Sequence, residues 1–185
     1  HYCSRRQRQM CIRDSSHYAL TTSLTDFPTH NVAMSTDGTR IALAPSGGSE
    51  WRVMELTSDG DWVQAGNMPS VSNFSAATNS DSITISHDGS VVALWTESPG
   101  QVRVYEVASG SGEWQLRGNP DQLSRTYINH VALSADGNIV AYGNHNFVAG
   151  DGDAKGEVRV FKYNPDTSNW DKICLLYTSD AADES

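Results

Sequence analysis

Short apolar runs alternate with polar turn residues along the chain, and the same arrangement occurs three times. Each copy opens with an alternating run that ends in serine, at residues 32–35, 83–86 and 131–134. An Asp-Gly pair follows two residues after each serine, and its aspartates, Asp37, Asp88 and Asp136, are 51 and 48 residues apart. A fixed period of this length predicts a repeat architecture.

The three copies share further positions. An alanine follows each turn aspartate by five residues, an arginine stands in each later apolar run, and a tryptophan opens the last run. These residues are Ala42, Ala93 and Ala141; Arg52, Arg103 and Arg159; and Trp62, Trp114 and Trp170. Because the runs alternate as strands do and glycine-containing turns separate them, each unit predicts four antiparallel strands.

The repeated unit predicts the fold class. Four antiparallel strands repeated at this period are typical of β-propeller blades, so the chain is expected to be all-β, a partial propeller and a fragment of a larger one. The three four-stranded blades are placed at residues 32–66, 83–118 and 131–173. A plain β-sandwich is the alternative, because it also has short strands and tight turns, but it does not predict the repetition.

The units also resemble a known family. The pattern S-x-D-G-x-x-(I/V)-A, then G-x-V-R-V-(Y/F) and finally W-x-x-x-G resembles the FG-GAP-type repeats of integrin-α-like β-propellers over residues 32–173. Periplasmic repeats that begin S-P-D-G-K are the second resemblance, but they lack the tryptophan-to-glycine ending. The FG-GAP resemblance implies a propeller in which some blades bind Ca²⁺ through Asp-rich loops.

The two ends of the chain are interpreted separately. Residues 5–14 and 174–184 back-translate to one sequencing-adapter oligonucleotide in opposite orientations. Segments 1–15 and 174–185 are therefore predicted to be adapter-derived artefacts that belong to no blade and remain unpacked. Residues 16–31 are interpreted as the end of a preceding blade and a connecting loop.

Composition restricts the possible partners. The chain has 22 acidic and 13 basic residues, a net charge of −9. Without a basic patch, neither nucleic acid nor an anionic membrane surface is expected as a partner. No apolar run approaches the roughly 20 residues of a membrane span. The cysteines, Cys3, Cys11 and Cys174, lie in or beside the adapter-like segments. Residues 16–173 contain no cysteine, so disulfides and thiol chemistry are not expected in that span.

The third unit contains a candidate metal site. The connection between its second and third strands is eight residues longer than in the other two units, and long loops on a rigid scaffold often bind ligands. Asp151 and Asp153 are the candidate Ca²⁺ ligands, but Lys155 stands where the family pattern has a third ligand. A calcium site and a solvated hairpin loop both remain open. Other oxygen donors around this loop are Asn144, Asn146 and Glu157.

The predicted first strands shape the functional hypothesis. At residues 32–35, 83–86 and 131–134 they offer only alanine, threonine and serine besides core residues, which favours a non-enzymatic domain that binds a protein or glycan. We expect it to belong to a larger, extracellular or cell-surface protein whose remaining blades complete the propeller. The alternative is a propeller enzyme, a glycosidase or lyase, whose catalytic residues lie outside these blades. The turn aspartates are interpreted as structural, because an Asp-Gly pair predicts a two-residue hairpin loop. The tryptophans are also interpreted as structural, and the arginines as strand-to-strand ion pairs or blade-edge residues.

Overall fold

A computed structural model describes residues 29–45, 50–70, 83–96, 100–124, 128–144 and 156–177. Twelve β-strands lie within these ranges, and a short 3₁₀ helix, Pro120–Leu123, precedes the ninth. The strands are β1 Thr29–Met34, β2 Arg40–Pro45, β3 Arg52–Leu56, β4 Trp62–Gln64, β5 Ile83–Ile85, β6 Val91–Thr96, β7 Gln101–Val107, β8 Trp114–Leu116, β9 Ile128–Leu133, β10 Ile139–Asn144, β11 Glu157–Asn164 and β12 Asn169–Tyr177.

The strands form three separate sheets, each made of four consecutive antiparallel strands. Blade 1 is β1–β4, blade 2 is β5–β8 and blade 3 is β9–β12, and strand order within each sheet follows the sequence. This confirms the all-β, partial-propeller prediction. Neighbouring sheets pack through the same positions in each pair, which the β-sandwich alternative does not predict.

Each blade has two ends. Its first strand runs from the connection with the preceding blade toward the S-x-D-G turn. The S-x-D-G turns and the turns between third and fourth strands therefore share one end, called here the turn end. The connections between second and third strands share the opposite end with the blade-to-blade connections. We call that opposite end the connection end.

Serine and aspartate together close the turn after each first strand. In blade 1 the Ser35 hydroxyl donates to the Asp37 carboxylate at 2.6 Å and accepts the backbone N–H of Arg40 at 2.9 Å. The Asp37 carboxylate also accepts the Thr39 N–H, and Gly38 supplies a φ of +72°. The same bonds recur in the other two blades.

The length of this turn differs from the prediction. An Asp-Gly pair was expected to form a two-residue hairpin loop, but the Gly38 N–H donates to the Ser35 carbonyl oxygen at 3.0 Å. Thr36 and Asp37 are therefore the central residues of the β-turn, and the glycine follows them. The Ser35 hydroxyl bonds across the loop, which stabilises the longer form.

Each pair of neighbouring blades packs through two different faces. The leading face of a blade points toward the preceding blade, and the trailing face points toward the following one. Between blades 1 and 2, the leading face contributes Ile83, Val92, Leu94, Tyr105 and Trp114, and the trailing face contributes Ala42, Ala44, Trp51 and Val53. Equivalent positions of blades 2 and 3 form the second core. The repeated alanines lie on trailing faces, where they leave room for large side chains of the next blade.

The tryptophan-to-glycine motif also connects blades. The Trp114 indole N–H donates to the carbonyl oxygen of Ala65, the residue before Gly66, at 2.8 Å. Gly66 has a φ of +76°, and a Cβ there would overlap the Gly112 carbonyl oxygen of the next blade. Backbone bonds between turns add to this contact, since the Thr36 N–H donates to His87 and the His87 N–H donates to Ala135.

The fourth strand of blade 3 is longer than predicted. It was expected to end at Ile173, but Cys174 pairs with Val160 and the pairing continues to Tyr177. The expectation that the adapter-like segment is unpacked is therefore wrong for residues 174–177. Backbone N–H and C=O groups of a sheet edge accept any extended segment, and the apolar sequence Cys-Leu-Leu-Tyr has no feature that prevents pairing.

Several predictions concern residues outside the described ranges. Segments 1–15 and 16–28, residues 178–185 and the aspartates Asp151 and Asp153 are among them. The adapter origin of the ends, the preceding blade and the calcium site therefore remain predictions. Within the described ranges no helix is long and apolar enough to cross a membrane.

Candidate functional site at the mouth of the channel

The first strands of the three blades lie side by side along the inner edge of the assembly. β1 contacts β5, and β5 contacts β9. In a propeller the innermost strands surround the central channel. The residues with which these strands begin, at the connection end, therefore lie at the mouth of that channel.

Two of these first strands carry a β-bulge at the same place. In blade 1 the register shifts between Thr29 and Asn31, and Asn31 then pairs with Ala44. In blade 3 the pairing of β9 with β10 shifts at the equivalent position, next to the pair His130 and Gly143. Bulges reorient the neighbouring side chain and occur often beside active sites as well as at sheet edges.

A polar residue lies beside each bulge at the channel mouth in two blades. Asn31 is half-buried and His130 is exposed. Each lies opposite a small residue of the second strand, Ala44 or Gly143, which leaves space beside it. The equivalent residue of blade 2, Ser82, lies outside the described ranges.

These residues were missed because the predicted first strands were too short. The alternating runs begin at Val32 and Val131, whereas β1 begins at Thr29 and β9 at Ile128. Asn31 and His130 continue the regular register of their strands, but they are polar, so the apolar runs begin one residue later. His130 contradicts the expectation that first strands offer no group for chemistry.

Each repeated arginine bonds to the residue two positions before it. Arg159 Nε lies 3.0 Å from Glu157 Oε2, Arg52 pairs with Glu50 at 3.5 Å, and Arg103 donates to Gln101 Oε1 at 3.4 Å. The prediction of strand-to-strand ion pairs is wrong for these contacts. Residues two apart on a strand share one face, so the acidic or amide partner was present two positions upstream in each unit.

Of the oxygen donors near the insertion, the structure brings Glu157 and Asn144 together. They are register partners across β10 and β11, and both are buried. The Glu157 side chain has no exposed surface and pairs with Arg159, which is 13% exposed. The described residues contain no cluster of three or more His, Cys, Asp or Glu side chains suited to a metal ion.

A cleft of about 560 Å³ lies at the turn end between blades 2 and 3. Its charged groups are already paired: Arg117 Nε lies 3.3 Å from Glu106 and Nη2 donates to Asn138. The Arg117 guanidinium also lies 4.2 Å from the centre of the Tyr163 ring. These contacts use the arginine to join the two blades, and the channel mouth is the better candidate for a functional site.

Comparison with known proteins supports the fold. No family model matches the sequence, and no curated protein matches it at a significant level. The FG-GAP relationship therefore remains a resemblance. Solved structures do match, at sequence identities low enough that the likeness concerns the fold alone.

Three of these structures illustrate the match. A functionally unknown protein from Desulfotomaculum acetoxidans gives a TM-score of 0.55 at 16% identity, covering 80% of this chain and 42% of that one. A Lactobacillus plantarum protein gives 0.53 at 16%, covering 80% and 41%. A candidate 6-phosphogluconolactonase from Bacteroides fragilis gives 0.53 at 15%, covering 82% and 42%. The chain thus spans about two fifths of the length of the structures that it matches.

The prediction that these blades are non-enzymatic is wrong. Sheets of this geometry occur in the candidate 6-phosphogluconolactonase, so the repeat itself does not argue against an enzyme. The prediction also depended on first strands without chemical groups, and His130 is exposed on one of them. The finding that the chain consists of propeller blades is unaffected.

Proposed function

We propose that these blades form part of a β-propeller enzyme that hydrolyses a small sugar-acid lactone at the channel mouth. The observation that carries the proposal is the pair of equivalent bulges, beside which Asn31 and His130 lie where the first strands begin. The likeness to a candidate 6-phosphogluconolactonase supports the substrate class by fold analogy alone.

His130 has the chemistry that lactone hydrolysis requires. A neutral imidazole can accept a proton from water while the water oxygen bonds to the lactone carbonyl carbon. The ring C–O bond then breaks, and the imidazolium returns the proton to the departing alkoxide. The product is the open-chain hydroxy acid, and the histidine is regenerated.

Asn31 would serve the same reaction from another blade. Its amide is a neutral hydrogen-bond donor, which can stabilise the negative charge that develops on the carbonyl oxygen. The chain already has a net charge of −9, which repels a substrate carboxylate or phosphate. A neutral amide adds no further negative charge at the site. Asn31 is thus assigned to orientation and charge stabilisation, and His130 to proton transfer.

The test is lactone hydrolysis by the 185-residue chain, followed as acid release from glucono-lactone and its 6-phosphate. We expect His130→Ala to lower the rate about 10²–10⁴-fold, the usual contribution of a general base. His87→Ala is the matched control, because His87 is also exposed but lies at the turn end. Its rate should equal that of the unchanged chain.

Two results would contradict the proposal. One is hydrolysis no faster than in buffer, even if the lactone or another glycan binds without turnover. The other is an equal loss of rate in the His87 and His130 variants, since that would place the chemistry outside the channel mouth.

A further inference from the structure

One of the three repeated arginines lacks the acidic partner that the other two have. In blades 1 and 3 the arginine pairs with a glutamate two residues upstream. In blade 2 that upstream residue is Gln101, whose amide oxygen lies 3.4 Å from Arg103 Nη2. Within the described ranges no ion pair includes Arg103. Its charge is therefore not neutralised by a neighbouring carboxylate.

Gln101 is committed to the connection that leads to blade 3. Its amide nitrogen donates to Asp121 Oδ1 at 2.7 Å and to Ser124 Oγ at 3.3 Å. These bonds fix the orientation of the amide, and the remaining contact with Arg103 is long for a hydrogen bond. A neutral amide also supplies no negative charge. The Asp121 carboxylate bonds to Gln101 and forms no ion pair with Arg103.

The Arg103 guanidinium has more donors than the described residues accept. A guanidinium has five N–H donors and remains protonated in proteins. Arg103 Nε is buried and has no hydrogen-bond acceptor among the described residues. Burial raises the pKa of the neighbouring Tyr105, and the Arg103 guanidinium opposes that rise. The Tyr105 hydroxyl is therefore neutral at ordinary pH and leaves the positive charge of the arginine uncompensated.

Arg103 lies at the gap between blades 1 and 2, near the connection end. Its register partner is Leu94, which packs in the core between those two blades. Directly paired residues of neighbouring strands have their side chains on one face, so Arg103 is directed toward blade 1. Asn31 borders the gap from the other side, because its partner Ala44 belongs to the same core. Both walls of the gap belong to the chain, so the position of Arg103 does not depend on any further blade.

We propose that Arg103 binds an oxyanion, the carboxylate or phosphate group of a small molecule, in the gap between blades 1 and 2. The planar guanidinium presents its donors as a fork that matches either group. Arg103 is half-buried, so solutes reach part of it while burial strengthens its attraction for an anion. The inference goes beyond the proposed lactonase activity and does not rest on it, since an anion would bind whether or not the chain hydrolyses lactones.

Titration of the 185-residue chain with inorganic phosphate tests the proposal through the ¹⁵N resonances of the arginine Nε–H groups. At constant ionic strength, which keeps general screening unchanged, the Arg103 resonance should shift and saturate. Arg159 is the internal control, because its Nε already lies 3.0 Å from Glu157 Oε2 and should not respond. A parallel titration with acetate distinguishes a carboxylate ligand from a phosphate ligand, and saturable binding of either anion supports the site.

Substitution of Arg103 gives a second measurement. Phosphate should raise the thermal unfolding midpoint of the unchanged chain, since a ligand of the folded state stabilises that state. Arg103→Gln should abolish this rise. Arg103→Lys keeps the charge but loses the fork, so it should bind phosphate about 10-fold more weakly. Arg52→Gln is the matched control: Arg52 already has a carboxylate partner, so the phosphate response should remain.

Three outcomes would overturn the inference. Neither phosphate nor acetate could shift the Arg103 resonance, which would show that the guanidinium binds no oxyanion. The Arg103 and Arg159 resonances could shift equally, which would show a general ionic effect. Finally, Arg103→Gln could retain the full phosphate-dependent rise of the unfolding midpoint, which would place the bound anion elsewhere.

Discussion

The indole Nε1 of Trp170 lies 2.9 Å from the carbonyl oxygen of Arg117, and this bond ties blade 3 to blade 2. Gly118 follows Arg117 with a φ of +76°, and a Cβ there would lie 2.6 Å from Trp170 Nε1. The glycine therefore has two reasons to be present: its backbone conformation and the space that the tryptophan occupies. The hydrogen bond recurs between Trp114 and Ala65, although there the following glycine, Gly66, leaves room for the Gly112 carbonyl oxygen and not for the indole.

Removal of this indole donor should destabilise the chain. In Trp170→Phe the carbonyl of Arg117 loses its hydrogen bond inside a blade contact, so we expect the free energy of unfolding to fall by about 1–3 kcal/mol. Urea unfolding gives the measurement. Trp62→Phe is the control and should lose less, because the Trp62 indole makes no such bond among the described residues. Equal losses would show that the hydrogen bond contributes nothing.

The turn glycines should differ in their tolerance of alanine, although their φ values are +72°, +70° and +69° at Gly38, Gly89 and Gly137. Each substitution carries a positive-φ cost of about 1–2 kcal/mol. A Cβ at Gly38 meets nothing within 4 Å, at Gly89 it meets the Arg40 side chain at 2.6 Å, and at Gly137 it meets Val91 at 2.6 Å.

Gly38→Ala is expected to destabilise the chain least, and Gly89→Ala and Gly137→Ala more. At both later glycines the added Cβ would also meet a neighbouring Cβ, of Arg40 at 2.8 Å and of Val91 at 2.7 Å, which no change of rotamer removes, so overpacking adds about 1–3 kcal/mol. Thermal or urea unfolding measures the three losses. Three equal losses would show that only the turn conformation requires glycine.

The ion pair of Arg159 and Glu157 should contribute more to the free energy of unfolding than the equivalent pair in blade 1, Arg52 and Glu50. Arg159→Ala leaves the fully buried carboxylate of Glu157 without its cation, which typically costs about 3–5 kcal/mol. Arg52→Ala is the matched control: its partner Glu50 is 68% exposed, and such pairs contribute about 0–1 kcal/mol. Similar unfolding midpoints for the two variants would contradict the burial of Glu157.

The turn aspartates predict how this part of the fold responds to acid. Hydrogen bonds from the Ser134 hydroxyl and then the Asn138 N–H lower the pKa of Asp136 to about 2, from an ordinary 3.8. A carboxylate with a lowered folded-state pKa stabilises the fold above its unfolded-state pKa, and the contribution disappears as the pH falls through the folded-state value. The turn should therefore persist to about pH 2.

Carboxyl ¹³C titration of Asp136 tests this expectation. In Ser134→Ala the largest cause of the shift is gone, so the pKa should rise toward 3.8. The stability difference between the unchanged chain and this variant should narrow as the pH falls from 3.8 toward 2. Asp37, whose pKa is also lowered to about 2, mainly by Ser35, serves as an internal control that the substitution leaves unchanged. An unaltered Asp136 titration in the variant would contradict the assigned cause.

The sequence alone determined the repeat, the number of strands in each unit and the turn residues. These properties are local: alternation along a strand and a glycine with positive φ are visible in a few consecutive residues. Repetition strengthened each of them, because a weak pattern around Asp37 became convincing when it recurred at Asp88 and Asp136.

Only the tertiary structure decided what the repeated residues contact. The tryptophan and the glycine of one unit are four residues apart, yet Trp114 bonds beside Gly66 of the preceding blade and Trp170 bonds beside Gly118. Such contacts depend on how one sheet packs on the next, and the periodicity of a single strand contains no information about the partner sheet.

The candidate site was hidden from the sequence for the same kind of reason. His130 pairs with Gly143 in the same register as Val131 with Tyr142, and the shift falls at the residue before it. His130 therefore lies on the trailing face of blade 3, and its exposure depends on the packing between blades, which the sequence pattern of one strand does not contain. The strand at Cys174–Tyr177 likewise depends on the free edge of β11. Backbone hydrogen bonds between strands depend little on the identity of the side chains. The sequence therefore specifies that strands form, whereas their packing determines where each strand begins, where its register shifts and where it ends.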